Sequence, residues 1–108
     1  MPLTIAELMS KMPAAFLPEK ALGMEAGLQF KFSGAEPGEW FTLIKDGLCT
    51  VNQGILPKAR MTLSADSDDF LKIFNGEMDG MQAFMQGRLR LSGDLNLALK
   101  LLSVFKIR

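Results

Sequence analysis

Apolar residues recur at helical spacing from the first turn of the chain: Ile5, Leu8, Met9 and Met12 fall on one face. Thr4-Ile5-Ala6-Glu7 has the residues of a capping box, so a first amphipathic helix is expected to start at Thr4 and to end near Pro13. A weaker helical stretch around Ala14 to Ala21 is interrupted by Pro18. From Gly27 the period changes to two. Leu28, Phe30 and Phe32 alternate with Gln29 and Lys31, as in a strand with one buried face. The run from Ser33 to Gly38 has the residue types of a turn. Trp40-Phe41-Thr42-Leu43-Ile44 is apolar on both faces and reads as a central strand. Asp46-Gly47 marks a hairpin into Leu48-Cys49-Thr50-Val51. Gly54-Ile55-Leu56-Pro57 breaks the ladder, and Arg60 to Ser64 resumes the alternation as a fourth strand.

The second half is mostly helical. Asp66 or Ser67 can cap a helix whose first turn carries Asp68 and Asp69, placed well for the positive end of the helix. Its apolar positions are Phe70, Leu71, Ile73 and Phe74, and Asn75-Gly76 closes it. Asp79 offers a further cap, with Phe84 and Met85 on the next turn and Gly87 as terminator. Arg88-Leu89-Arg90-Leu91-Ser92 alternates as a fifth strand, and Asp94 caps a final helix running to about Lys106. Strands followed by helices, with one late strand returning, describe an α+β domain of two layers.

Composition narrows the function. The chain has 108 residues, the length of one domain, so a single domain over 1–108 is expected. Lysine plus arginine equals aspartate plus glutamate, twelve each, which lacks the basic excess that nucleic acid or an anionic membrane surface demands. Cys49 is the one cysteine, so no internal disulfide forms and a reducing compartment is the default. No apolar stretch approaches the roughly 18 residues needed to span a bilayer, and no secretory signal is evident; a cytoplasmic location is expected. Histidine and tyrosine are both absent. That removes the commonest general base, every Ser-His-Asp or Cys-His pair and any imidazole metal ligand, so the chain is not expected to be an enzyme.

The remaining candidates for chemistry have structural readings. Cys49 sits among apolar neighbours, where a free thiol packs as a small hydrophobe. Asp66, Asp68 and Asp69 are explained by helix capping without a metal ion. Gly76 and Gly80 flank Glu77-Met78-Asp79, but no lysine with Ser or Thr follows, so no phosphate loop is formed. Arg88 and Arg90 on one strand face suit either an anionic headgroup or a solvated edge. The unusual inventory is apolar. Eight methionines are present, and Met9, Met12, Met78, Met81 and Met85 lie in or beside expected helices. Unbranched, polarizable side chains of this kind adapt to variable apolar partners, or merely fill a core.

One further pattern extends over about residues 22–105 in consistent order. Gly38-Glu39-Trp40 and Lys45-Asp46-Gly47 come first; then Ala65-Asp66-Ser67-Asp68-Asp69-Phe70 and Gly76-Glu77-Met78. The run from Ala83 to Asp94 and then Leu97-Ala98-Leu99-Lys100-Leu101 complete it. Together they resemble the sterol-carrier-protein-2 (SCP2) family. The resemblance implies a five-stranded, mostly antiparallel sheet with helices packed on one face, enclosing an apolar tunnel. It implies a lipid-binding and lipid-transport role without catalysis or cofactors. Fatty acid, fatty acyl-CoA, sterol or phospholipid would be the ligand, and transient membrane contact and the oligomeric state are left open. The alternative is an accessory, protein-interaction domain of the same fold without a working cavity. Peroxisomal members end in a Ser-Lys-Leu-like address, whereas this chain ends Lys106-Ile107-Arg108, which keeps the cytoplasmic expectation. On this fold the expected cavity residues are the apolar side chains of the helices. They are Met9 and Met12; Phe70 and Phe74; Met78, Met81, Phe84 and Met85; and Leu97, Leu101, Leu102 and Phe105.

Overall fold

In the computed structural model, which describes residues 4–21, 23–97 and 100, helix α1 (Ile5–Ala15) comes first, then a 3-10 turn (Pro18–Lys20). Strands β1 (Ala26–Ser33), β2 (Gly38–Lys45), β3 (Leu48–Gln53) and β4 (Met61–Asp66) follow. Helices α2 (Ser67–Phe74) and α3 (Gly80–Met85) then lead into β5 (Leu89–Gly93). No helix of the described residues is long and apolar enough to cross a membrane.

The capping box forms as its residues require. Thr4 Oγ1 accepts from the Glu7 amide at 3.1 Å, and Glu7 Oε1 accepts from the Thr4 amide at 3.2 Å. The helix continues past Pro13 to Ala15, because a proline near the C-terminal end removes one hydrogen bond and lets the final turn close beyond it. Of the helical stretch expected around Ala14 to Ala21, Ala14 and Ala15 belong to α1, and the rest holds one 3-10 turn headed by Pro18. Leu17 before it is extended, as a residue preceding proline prefers to be. Asp66 is the cap of α2, with its Oδ1 accepting from the Asp68 amide at 2.9 Å. Asp79 caps α3 in the same way. Asp94 Oδ1 accepts from the Leu97 amide at 3.1 Å, and residues 95–97 are helical. The rest of the final helix expected to Lys106, apart from helical residue 100, lies outside the described residues.

The five strands form one sheet in the order β3-β2-β1-β4-β5. All neighbours are antiparallel except β1 and β4, which are parallel. The β2–β3 hairpin turns on Asp46 and Gly47, both at positive φ (54° and 75°), as a tight primed turn requires. Register places Leu28, Phe30 and Phe32 of β1 beside Met61, Leu63 and Ala65 of β4, and beside Thr42, Trp40 and Gly38 of β2. These residues, with Cys49, Val51, Leu89 and Leu91, form the inner face. The buried sides of α1, α2 and α3 join the same core, α1 lying against β3, α2 against β4 and α3 against β5. The helices thus cover one face of the sheet, as expected.

The outer face is polar along one row, Glu39, Lys31, Ser64 and Arg90 across four strands. Elsewhere on it the β3–β4 connection folds back over β1. Gln29, expected to alternate outward, is only 3% exposed because that connection covers it. Its Oε1 accepts from the Leu56 amide at 2.7 Å, and its Nε2 donates to the carbonyls of Trp40 and Gly54 at 2.9 and 3.1 Å.

Candidate functional site

The inner layer is built from aromatic side chains that two elements bring together. Strand alternation puts Phe30 and Phe32 on the inner face, and helical spacing puts Phe70 and Phe74 on the underside of α2. The rings meet in series: Phe30 stacks on Phe32 at 6.1 Å, and tilted contacts join Phe32 to Phe70 at 4.9 Å and Phe70 to Phe74 at 5.2 Å between centroids. Met9, Met12, Phe70 and Leu97, all expected at the cavity, are buried together in this core. Phe74 and Met78 are half-buried and pack against it. Met81, Phe84 and Met85 are instead at the surface, 44%, 40% and 78% exposed, because α3 turns its small residues Gly80 and Ala83 inward. Leu101, Leu102 and Phe105 lie outside the described residues.

On the sequence, Phe30 and Phe32 belong to a strand and Thr42 to a central strand, and none of the three is among the expected cavity residues. Their signal was present in the alternation. A strand residue on the buried face looks toward the same layer as the helices. Register supplies the link, placing β1 and β2 side by side between β3, which α1 covers, and β4, which α2 covers.

Two surface clefts adjoin the layer. One of about 500 Å³ is lined by Phe32, Ala65, Asp66, Asp69, Arg88 and Arg90 among others. Another of about 400 Å³ is lined by Ala21, Met24, Arg60, Asp94, Leu97 and Lys100 among others. Both are open and bordered by charges of both signs, and neither is the enclosed apolar tunnel that the resemblance implies. Arg88 lies 3.7 Å from Asp69, and Arg60 donates to Asp94 at 2.7 Å. The hydrogen bond from the Leu97 amide, reinforced by Arg60, holds the Asp94 carboxyl below its ordinary range. Asp66 is occupied by its cap and Asp69 lies beside Arg88, and the described residues gather no group of three metal-binding side chains. Cys49 is buried, and burial pushes its thiol up to about 11. At neutral pH it is therefore a thiol and not a nucleophilic thiolate.

The family model of the SCP-2 sterol transfer family matches residues 10–106. Hydroxysteroid dehydrogenase-like protein 2 of Xenopus tropicalis is 45% identical over 85 residues, 77% of this chain and 20% of that protein. Its counterpart from Danio rerio is 32% identical over 98 residues, 90% of this chain and 24% of that protein. The chain thus spans about a fifth to a quarter of the length of these two curated relatives. Sterol Carrier Protein 2 Like 2 from Aedes aegypti superposes with a TM-score of 0.74 at 25% identity, over 94% of this chain and 92% of that one. The sec-alkylsulfatase Pisa1 from Pseudomonas sp. shares the fold in one part of a longer chain. Its TM-score is 0.85 at 20% identity, over 98% of this chain and 17% of that one.

Proposed function

The chain belongs to the SCP-2 sterol transfer family, and from that premise we propose that it binds one apolar lipid and carries it between intracellular membranes. The ligand is a fatty acid, fatty acyl-CoA, sterol or phospholipid, held between the inner face of the sheet and the helices. The observation that carries this reading is the graded burial of one apolar series. Met85 is largely exposed, Phe84 and Met81 are partly exposed, Met78 and Phe74 are half-buried, and Phe70 is fully buried against Phe32 and Phe30. We read this series as the route by which an acyl chain passes from the surface to the core. An exposed group of three large apolar residues on so short a helix is otherwise a cost to a soluble domain. Leu97 joins the wall from the start of the final helix, and Leu101, Leu102 and Phe105 are proposed to extend it.

The role is non-enzymatic, single-domain and cytoplasmic on this reading. The dehydrogenase-like name belongs to relatives of which the chain matches about a fifth. Support for a non-catalytic role comes from this chain's own composition, which has no histidine or tyrosine, and from the suppressed ionisation of Cys49. A second reading is favoured by that same partial coverage: an accessory domain of the same fold without a working cavity. Native mass spectrometry of the purified protein separates them. A lipid-carrier retains one co-purified lipid per chain, and delipidated protein takes up one equivalent of a fluorescent fatty acid. Protein that stays empty after such a challenge refutes the lipid-carrier reading.

A further inference from the structure

Three polar side chains are buried among the described residues, namely Gln29, Ser67 and Thr42. Two are accounted for. Gln29 holds the β3–β4 connection, and Ser67 Oγ accepts from the Glu36 amide at 3.1 Å. Thr42 is not. It is 0% exposed, and its Oγ1 has no hydrogen-bond partner among the described residues. A buried hydroxyl without a partner carries its whole desolvation penalty. Valine would fill the same volume and suit the strand equally well. The hydroxyl is therefore a local cost to the free protein, and a bound partner would remove that cost.

Its place in the fold indicates what the partner is. Thr42 lies mid-strand on the inner face of β2, paired with Leu28 of β1 and Val51 of β3. Trp40 and Ile44 flank it on the same face. Helix α1 covers the adjacent strand β3 and contributes Met9 and Met12 to the core. Both have flexible side chains that repack at low cost. No charged side chain among the described residues is buried. A carboxylate or phosphate brought to this depth would have no counter-charge, which is prohibitive.

Given the lipid-carrier reading above, on which this rests, we infer that Thr42 is the polar contact of the ligand site. Its hydroxyl pairs with one uncharged oxygen (a hydroxyl, ketone or ester) on an otherwise apolar ligand, while Met9 and Met12 repack to admit it. Anionic headgroups stay at the surface. The test is displacement of a bound fluorescent fatty acid by dodecanol and by tridecane, which differ by a hydroxyl in place of a methyl group. Wild type, Thr42→Val and Thr42→Ser are compared, with a melting temperature for each. The extra methyl of tridecane favours it equally in every variant, so the affinity ratio of dodecanol to tridecane is compared between proteins. That ratio should be roughly fivefold higher in wild type than in Thr42→Val, the worth of one net hydrogen bond. Thr42→Ser should keep the wild-type ratio, and Thr42→Val should melt at the same or a higher temperature than wild type. An equal ratio in wild type and Thr42→Val overturns the inference and leaves the carrier reading standing. A lower melting temperature for Thr42→Val would mean that the hydroxyl is satisfied within the protein, which also overturns it. Wild type that binds no lipid at all refutes the carrier reading, and this inference with it.

Discussion

At the scale of the residue, two side chains carry more than their sequence positions suggest. Gln29 satisfies three backbone groups on two segments at once, the Leu56 amide and Gly54 carbonyl of the connection and the Trp40 carbonyl of β2. Gln29→Leu would keep the volume but leave these groups unpaired under the connection. It should cost about 2–4 kcal/mol in urea denaturation, with little change in lipid affinity, because the residue lies on the outer face. Cys49 gives a pH-dependent expectation. Burial raises its folded-state pKa from the usual 9.0 to about 11. The stability gained by burying the neutral thiol is then fully present below the unfolded value and is lost as pH rises toward the folded one. Between pH 8 and 11, wild type should lose stability faster than Cys49→Ala does. The lysines titrate over the same range in both proteins, so the difference between the two profiles isolates the thiol. Parallel pH profiles would refute its burial as a neutral group. The packing role of Cys49 was legible from its apolar neighbours. Burial of Gln29 was not, since alternation alone sends it to solvent, and only the folded connection covers it.

At the scale of the element, local chemistry made the starts of α1, α2 and α3 readable. A cap is a contact between near neighbours, and Thr4, Asp66 and Asp79 each make theirs. Thr4→Ala should therefore lower stability by about 1 kcal/mol, seen as a reduced denaturation midpoint. What local pattern could not supply was which face of a short helix meets the sheet. Met81, Phe84 and Met85 share a face and look like core, yet the sheet receives Gly80 and Ala83, whose small size lets α3 approach β5 closely. This difference makes a clean experiment. Ala83→Asp buries a charge and should unfold the domain. Phe84 is partly exposed, so Phe84→Asp should keep its circular dichroism and its melting temperature within a few degrees. The same protein should bind lipid at least tenfold more weakly. A folded Phe84→Asp protein with unchanged affinity removes the α3 face from the site.

At the scale of the whole molecule, the order β3-β2-β1-β4-β5 divides the labour of the two faces. β3 and β4 both run parallel to β1, so the chain must cross from one side of the sheet to the other between them. It does so over the outer face, where Leu56 packs on Gly27, whose missing Cβ leaves the room. The helices are then free to close the inner face. Periodicity foretold five strands and a helical layer, but not the parallel pair, because pairing partners are distant in sequence and alternation is the same in either direction. The inner layer sets the last expectation. If an acyl chain lies between sheet and helices, each added methylene contributes up to about 0.8 kcal/mol gross, on the order of 12 kcal/mol for about fifteen of them. Association and ordering costs leave a net affinity between micromolar and tens of nanomolar. Titration with saturated fatty acids of increasing length should show affinity rising with each pair of carbons, then levelling where the chain outgrows the layer. The plateau should come earlier in Phe70→Trp, whose larger ring narrows the space against Phe32 and Phe74. A flat series in wild type would mean that the chain lies on the surface and not between the layers. An unshifted plateau in a stably folded Phe70→Trp protein would place the ligand elsewhere in the domain.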